Sequence, residues 1–360
     1  MTINHTPVKG SSTQTKKPFN HAMLMSGGGS RFGYYLGMYA AAVDSNRQPD
    51  AIFAACGGAI AAGLIGAFDS IEEQKEALLS HELHQMVQRV QHANKHTLTT
   101  VLFDLANRYW QRKATTVFPD LAHDALFEIA QDSKPWFPFQ PNYTTANSSI
   151  YIVGSKLCFD QKQIGQNRGA SPLFEEVILS DQSALNVLSN APYSPPSSLV
   201  KSDLVTESSI AFQDAVRISV SDIYYLPPYV IAGSHYMGGM LDLVPFSLAQ
   251  HCSATLSLEA KQAFSSVTAV PAFYTLLGYN PNDVLKALPS RSQDVWIHTA
   301  DAPQQLRRHQ VRKRIHWLSN QIALEIPNYA QFRTMMQAQW DYGYQRALAA
   351  FRHHNPLVSI

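Results

Sequence analysis

The chain has 360 residues, 45% of them hydrophobic, and its 28 Lys and Arg against 27 Asp and Glu leave a net charge of +1. Such a chain can bury a large core, and the balanced charge argues against nucleic acid as a partner. Cys56, Cys158 and Cys252 are widely spaced and form no Cys-x-x-Cys pair, so neither a disulfide framework nor a zinc site is expected, and no other cofactor is indicated. No run is long and apolar enough to cross a bilayer and no apolar signal core opens the chain, so the expected location is the cytoplasm, with peripheral membrane contact left open.

Residues 1–20 are polar and read as a mobile tail, with the core starting at His21. Residues 21–66 then read as strand, glycine turn, helix, strand, sharp turn, helix. A short apolar run ends in Gly27, Gly28 and Gly29, and a second, at 51–54, ends at Cys56 between small residues. Successive glycines before a helix let backbone N–H groups face an anion or oxyanion. A sharp strand-to-helix turn lifts the Cys56 side chain clear of the sheet, as a nucleophile elbow does. A phosphate-cradle reading of the same glycines lacks the Lys-Ser/Thr ending that a P-loop needs.

Residues 71–135 read as a helical insertion over the elbow, with a further helix after Pro119. His81 and His84 stand at i, i+3, which lacks zincin spacing and suits a solvated helix face better than a metal. Residues 149–159 and 176–180 are strand-like, 193–198 is a Pro and Ser loop, 210–221 a helix and 229–232 a short strand leading to residues 235–239. Such alternation predicts an α/β fold with a mostly parallel sheet covered on both faces. Residues 251–360 read as largely helical, packed on a core spanning 21–250. Within them 304–321 has the spacing of an amphipathic helix bearing Arg307, Arg308, Arg312, Lys313 and Arg314. Its basic face is either merely solvated or a docking surface for anionic headgroups or an acyl carrier protein, with Trp317 serving an interface or the core. Residues 332–351 read as a final packing helix.

The glycine run from Ser26 to Arg31, the elbow Ala54-Ala-Cys-Gly-Gly58 and the segment Tyr236-Met-Gly-Gly-Met-Leu-Asp-Leu-Val-Pro245 together resemble the patatin-like phospholipase family. The family carries a glycine-rich oxyanion segment, a Gly-x-Ser-x-Gly elbow and a distant Asp-Gly-Gly. The stretch from Asp214 to Ile231 resembles the lead-in to that last motif. The resemblance implies a three-layer patatin-like fold, an oxyanion hole at Gly27, Gly28, Gly29, Ser30 and Arg31, and acyl esters or thioesters as substrates, with no cofactor. Two positions depart from the pattern: Cys56 replaces the nucleophilic serine, and Met237, ahead of Gly238 and Gly239, replaces the aspartate. Ala54 also replaces the first elbow glycine. Asp242 corresponds to the family's second aspartate and is expected to brace the loop before Pro245.

A serine facing a thioether would lack a base, whereas a cysteine, with a reference pKa of about 8.5, depends less on one. His235 lies two residues before Met237, and the pair would share a strand face about 6.6 Å apart, so a Cys56–His235 dyad is one option and an exposed turn histidine the other. Ser219 reads as packed. The leading expectation is acyl hydrolysis or transfer through a Cys56 thioester. The alternative is a catalytically inactive relative that binds a lipid or a protein partner.

Overall fold

The computed structural model describes residues 17–93, 99, 103, 106, 116–123, 125–130, 134–141, 148–188, 204–240, 244–260, 263–266, 269–288, 291–316 and 321–354. Most of the tail, the 193–198 loop, Asp242 and Trp317 lie outside them. Strand β1 (Phe19–Ser26) runs through the glycine turn into α1 (Gly33–Asp44), and β2 (Ala51–Ala55) into α2 (Gly57–Ala67). Helices α3 (Ile71–Leu78) and α4 (His81–Gln88) follow, and β3 (Val90–His92) pairs antiparallel with β4 (Phe127–Ile129). Next come β5 (Ser149–Leu157), β6 (Phe174–Leu179), α5 (Gln182–Leu188), β7 (Val205–Glu207), α6 (Phe212–Ser219), β8 (Tyr229–Ile231) and β9 (Ser234–Gly238). The last third holds α7 (Phe246–Cys252), β10 (Ser253–Ala260), α8 (Ala269–Leu277), α9 (Pro281–Ala287), β11 (Val295–His298) and α10 (Ala302–Gln305). It closes with β12 (Arg312–His316), β13 (Gln321–Glu325) and α11 (Tyr329–His353).

The main sheet runs β11-β10-β1-β2-β5-β6-β7, and every neighbouring pair in that order is parallel except β5–β6. Strand alternation decides which side chain enters which layer. On β1, Met23 and Met25 pack with α1, α2 and α11, while Ala22 and Leu24 pack with α5 and α7 on the opposite face. The result is an α/β sandwich of three layers. Its C-terminal wall is clamped by the crossing of α1 and α11, where a Cβ on Gly343 would lie 1.9 Å from Tyr34 O and one on Gly37 would lie 2.1 Å from Trp340 O. Only glycine on both helices permits that approach, and the long α11 is thereby fixed over the start of α1.

Several expectations change. Residues 253–260 form β10, a central parallel strand between β1 and β11; Leu256 and Leu258 alternate into the core at strand period. The segment expected as a basic helix at 304–321 is one short turn of α10 followed by β12, which pairs with β13. Cross-strand bonding, with Arg314 to Glu325 at 3.2 Å, outweighs its helical spacing. The stretch after Pro119 enters β4 because the N–H groups of Leu126 and Phe127 donate to Tyr224 O and Tyr225 O. The 71–135 insertion is thus helical in α3 and α4 and stranded at β3 and β4. The tail ends earlier than expected, since β1 already begins at Phe19 and Lys17 donates to Ser253 O at 3.0 Å. His84 is buried and bonds Pro327 O at 2.8 Å, while His81, though exposed, stacks on Tyr329, so the pair ties α4 to the start of α11 and only His81 keeps the solvated position.

Candidate active site

The carboxyl ends of β1 and β2 meet at the glycine turn and at Cys56, where open parallel sheets place their ligands. Cys56 has φ 53° and ψ −124°, a conformation that non-glycine residues rarely hold. It is the residue before α2 and has 6% of its surface exposed. The bend is held by what surrounds it: Cys56 N–H donates to Ser219 Oγ at 3.0 Å, and Ser219 Oγ–H donates to Val153 O at 2.8 Å. A packed serine thus links the elbow to β5. Glycines make the turn possible, because a Cβ on Gly58 would sit 1.9 Å from Met25 O and one on Gly57 would sit 2.5 Å from Gly27 O. Ala54 is fully buried one layer below the bend, on the face shared with α2.

The side chain at hydrogen-bond distance from the Cys56 thiol is Asp222, with Sγ to Oδ2 at 3.0 Å. Its position follows from the sheet. Strand β2 pairs with β5 only as far as Ala54↔Ile152, after which Cys56 turns away. The vacated slot beside Gly154, Ser155 and Lys156 is taken by β9, which runs antiparallel and brings Gly238 alongside Gly154. A Cβ on Gly238 would lie 2.6 Å from Ser219 O and 3.3 Å from Asp222 Oδ1. The carboxylate therefore sits in the space that a side chain at 238 would occupy, and it reaches the thiol from the turn after α6.

The pleat of β9 places the other sequence candidates. Met237 is fully buried in an apolar cluster with Phe174, Met240, Leu276 and the partly buried Ile223. Successive side chains alternate, so His235 shares the Met237 face and Gly238 the opposite one, which looks toward α6 and Asp222. The histidine expected to serve as base is thus turned away from the carboxylate that the thiol meets, within the β8–β9 hairpin opposite Val230. Gly239 is buried just beyond β9, and Asp242 lies outside the described residues.

On the oxyanion side, Gly27, Gly28 and Gly29 have φ of 73°, 84° and 55°. The Gly27 N–H is engaged by Ala55 O at 3.0 Å and the Arg31 N–H by Gly28 O at 3.1 Å, so neither is available to a substrate. Those bonds do not consume the N–H groups of Gly28 and Gly29, and Gly57 opens α2 beside them. Beneath the turn, Tyr34 and Thr299 donate to Glu259 at 2.8 and 3.1 Å, and Tyr35 reaches both Glu259 Oε1, at 2.5 Å, and Ser26 O. Burial first, and the Glu259 charge second, hold both phenols well above their usual pKa, so they remain hydroxyl donors. Ser30 accepts from Val311 N–H at 3.2 Å, and the buried amide of Gln339 joins Ser30 O, His309 O and Gly33 N–H.

The Asp222 turn is covered from two sides. Strand β4 bonds it through Tyr224 and Tyr225, and on β12 the Lys313 ammonium lies 4.4 Å from the Tyr225 ring centre. Burial raises the Tyr225 pKa, and the charges of Cys56 and Asp222 push it the same way. Lys313 is solvent-accessible as a residue, yet its ammonium is crowded enough that desolvation lowers its pKa, against the pull of Asp222. Sequence reading missed Asp222 as a site residue, and named Lys313 only as part of the basic face of 304–321. The one local cue was an acidic residue closing Ser219-Val-Ser-Asp222; that it faces residue 56 follows only once β9 is known to fill the slot beside β5.

No protein-family model matches the chain, and no curated protein does. Among solved structures, the chain aligns with VipD from Legionella pneumophila at 12% sequence identity and a TM-score of 0.37, over 94% of this chain and 67% of that one. A likeness that distant carries no functional weight.

Proposed function

We propose that this is a patatin-like acyl-handling protein in which Cys56 accepts an acyl group as a thioester. The observation that carries the reading is the thiol of a strained elbow residue 3.0 Å from the Asp222 carboxylate, beside a turn of three glycines at positive φ. A carboxylate this close repels a thiolate, so the proton leaves sulfur as the bond to carbon forms rather than beforehand. Sγ bonds the acyl carbonyl carbon, the S–H proton passes to Asp222, and the N–H groups of Gly28, Gly29 and Gly57 stabilise the oxyanion. Collapse breaks the bond to the alkoxide or thiolate leaving group, which takes the proton from Asp222. Water or an acceptor then attacks the thioester and gives its proton to Asp222; as the C–S bond breaks, the Cys56 sulfur takes that proton back, which restores the thiol and the carboxylate.

The test is intact-protein mass measurement after incubation with a short-chain p-nitrophenyl ester, followed by peptide mapping. The expected result is one acyl group on Cys56, absent from Cys56→Ala. Equal acylation of both proteins sinks the proposal. One observation favours the second reading, a non-catalytic acyl-lipid binder: Cys56 has 6% of its surface exposed. Extraction of a stoichiometric acyl lipid from a protein that turns over no ester would support that reading instead.

A further inference from the structure

Between α10 and β12 the backbone folds around a cleft of about 720 Å³ lined by Arg307, Arg308, Gln310, Val311, Arg312 and Lys313. The size is that of a small-molecule site. Four of the six lining residues are cations and none is acidic. Glu325, opposite Arg312 on the paired strand and bonded by Arg314, and Asp222, which attracts Lys313, offset only part of that positive charge. Like charges held together in one concavity repel, and a bound anion relieves that repulsion.

The cleft is joined to the acyl site at both ends. Val311, in its wall, donates to Ser30 of the glycine turn at 3.2 Å, and Gln339 ties His309 and Ser30 to the same amide at 2.7 and 3.0 Å. At the other end Lys313 stands over Tyr225, in the turn that begins with Asp222. A ligand seated there lies between the segments that brace the glycine turn and the Asp222 turn.

From this geometry we infer that the cleft binds a phosphate group of at least two negative charges, a phosphomonoester or a pyrophosphate, carried by the leaving group of the acyl donor. A zwitterionic phosphodiester headgroup brings no net charge and would leave the cations unneutralised, whereas a phosphomonoester carries nearly two charges at neutral pH. Arginine suits this task, since its planar fork pairs bidentately with phosphate oxygens. The inference rests on the acyl-transfer reading for the word donor, but the binding itself does not depend on turnover.

The experiment is calorimetric titration of Cys56→Ala protein, which cannot turn over, with inorganic pyrophosphate and with glycerophosphocholine, a zwitterionic phosphodiester. Pyrophosphate should bind, glycerophosphocholine at least roughly tenfold more weakly, and Arg308→Gln/Arg312→Gln should weaken pyrophosphate by a similar factor while the distant Lys162→Gln does not. Flotation with phosphatidylcholine vesicles, with and without phosphatidic acid, separates the sources: recruitment by phosphatidic acid alone assigns a lipid donor, and none assigns a soluble one. Equal binding of glycerophosphocholine, no binding of pyrophosphate, or an affinity unchanged in the double variant overturns the inference. Acylation of Cys56 in the wild-type protein would stand in any of those cases, so the two readings fail separately.

Discussion

The two walls of the site are built differently. The oxyanion wall comes from contiguous chain, β1 to α2, and rests on buried supports: Tyr34, Tyr35 and Glu259 beneath the turn, Gln339 behind it and Ser219 at the elbow. The base wall is assembled from separate segments, namely the turn after α6, β9, β4 and β12, and it includes a partly buried carboxylate and a solvent-accessible lysine. Stabilising a developing oxyanion requires donors that do not reorganise, which a buried, cross-linked turn provides. Proton transfer and substrate choice tolerate a wall delivered by loops and hairpins.

The comparison predicts where substitutions act, and the largest effects fall on the base wall's contact with the thiol. Asp222→Asn keeps the shape and removes the proton acceptor, so acylation of Cys56 should slow by roughly 10²- to 10⁴-fold in a stopped-flow or mass-based assay. Gly238→Ala forces a Cβ to within 2.6 Å of Ser219 O, which should cost about 1–3 kcal/mol in denaturant titration and displace Asp222 along with it. Met237→Asp should not restore acylation to Asp222→Asn, because that side chain enters the apolar cluster on the other face of β9. His235→Ala should change the acylation rate by less than roughly threefold. At the small end stands Cys252: burial pushes its pKa up to about 12. Its thiolate is scarce below that pH and grows as pH rises toward it, so alkylation at pH 8 should leave Cys252 unmodified in peptide maps.

The same contrast explains what could be read from the chain alone. The glycine turn and elbow are local: apolar runs, glycines and small residues lie within residues 21–66, and the backbone they imply is the backbone observed. Asp222 is a relation between segments 166 residues apart, and it depends on β9 filling the position that β2 leaves at Cys56. Met237 drew attention because of its motif neighbours, yet the pleat sends it to another layer. In the last third, β10 did leave a cue in the alternation of Leu256 and Leu258, but eight residues within a helix-rich composition were outweighed. The basic segment was misread for the opposite reason: the spacing of Val311, Ile315 and Leu318 suits a helix, and only pairing with β13 makes part of it a strand.

The central claim is that Asp222 takes the proton from Cys56 during acyl transfer rather than merely filling space beside it. The direct measurement is a pair of rates on wild-type and Asp222→Asn protein: acylation of Cys56 by a p-nitrophenyl ester, and alkylation of the same thiol by iodoacetamide at pH 8. Loss of a proton acceptor predicts acylation slowed at least roughly 100-fold, while alkylation, which needs a thiolate that the carboxylate repels, is unchanged or faster. If both rates fall together, or if acylation survives the substitution, Asp222 is not the base and the account is wrong.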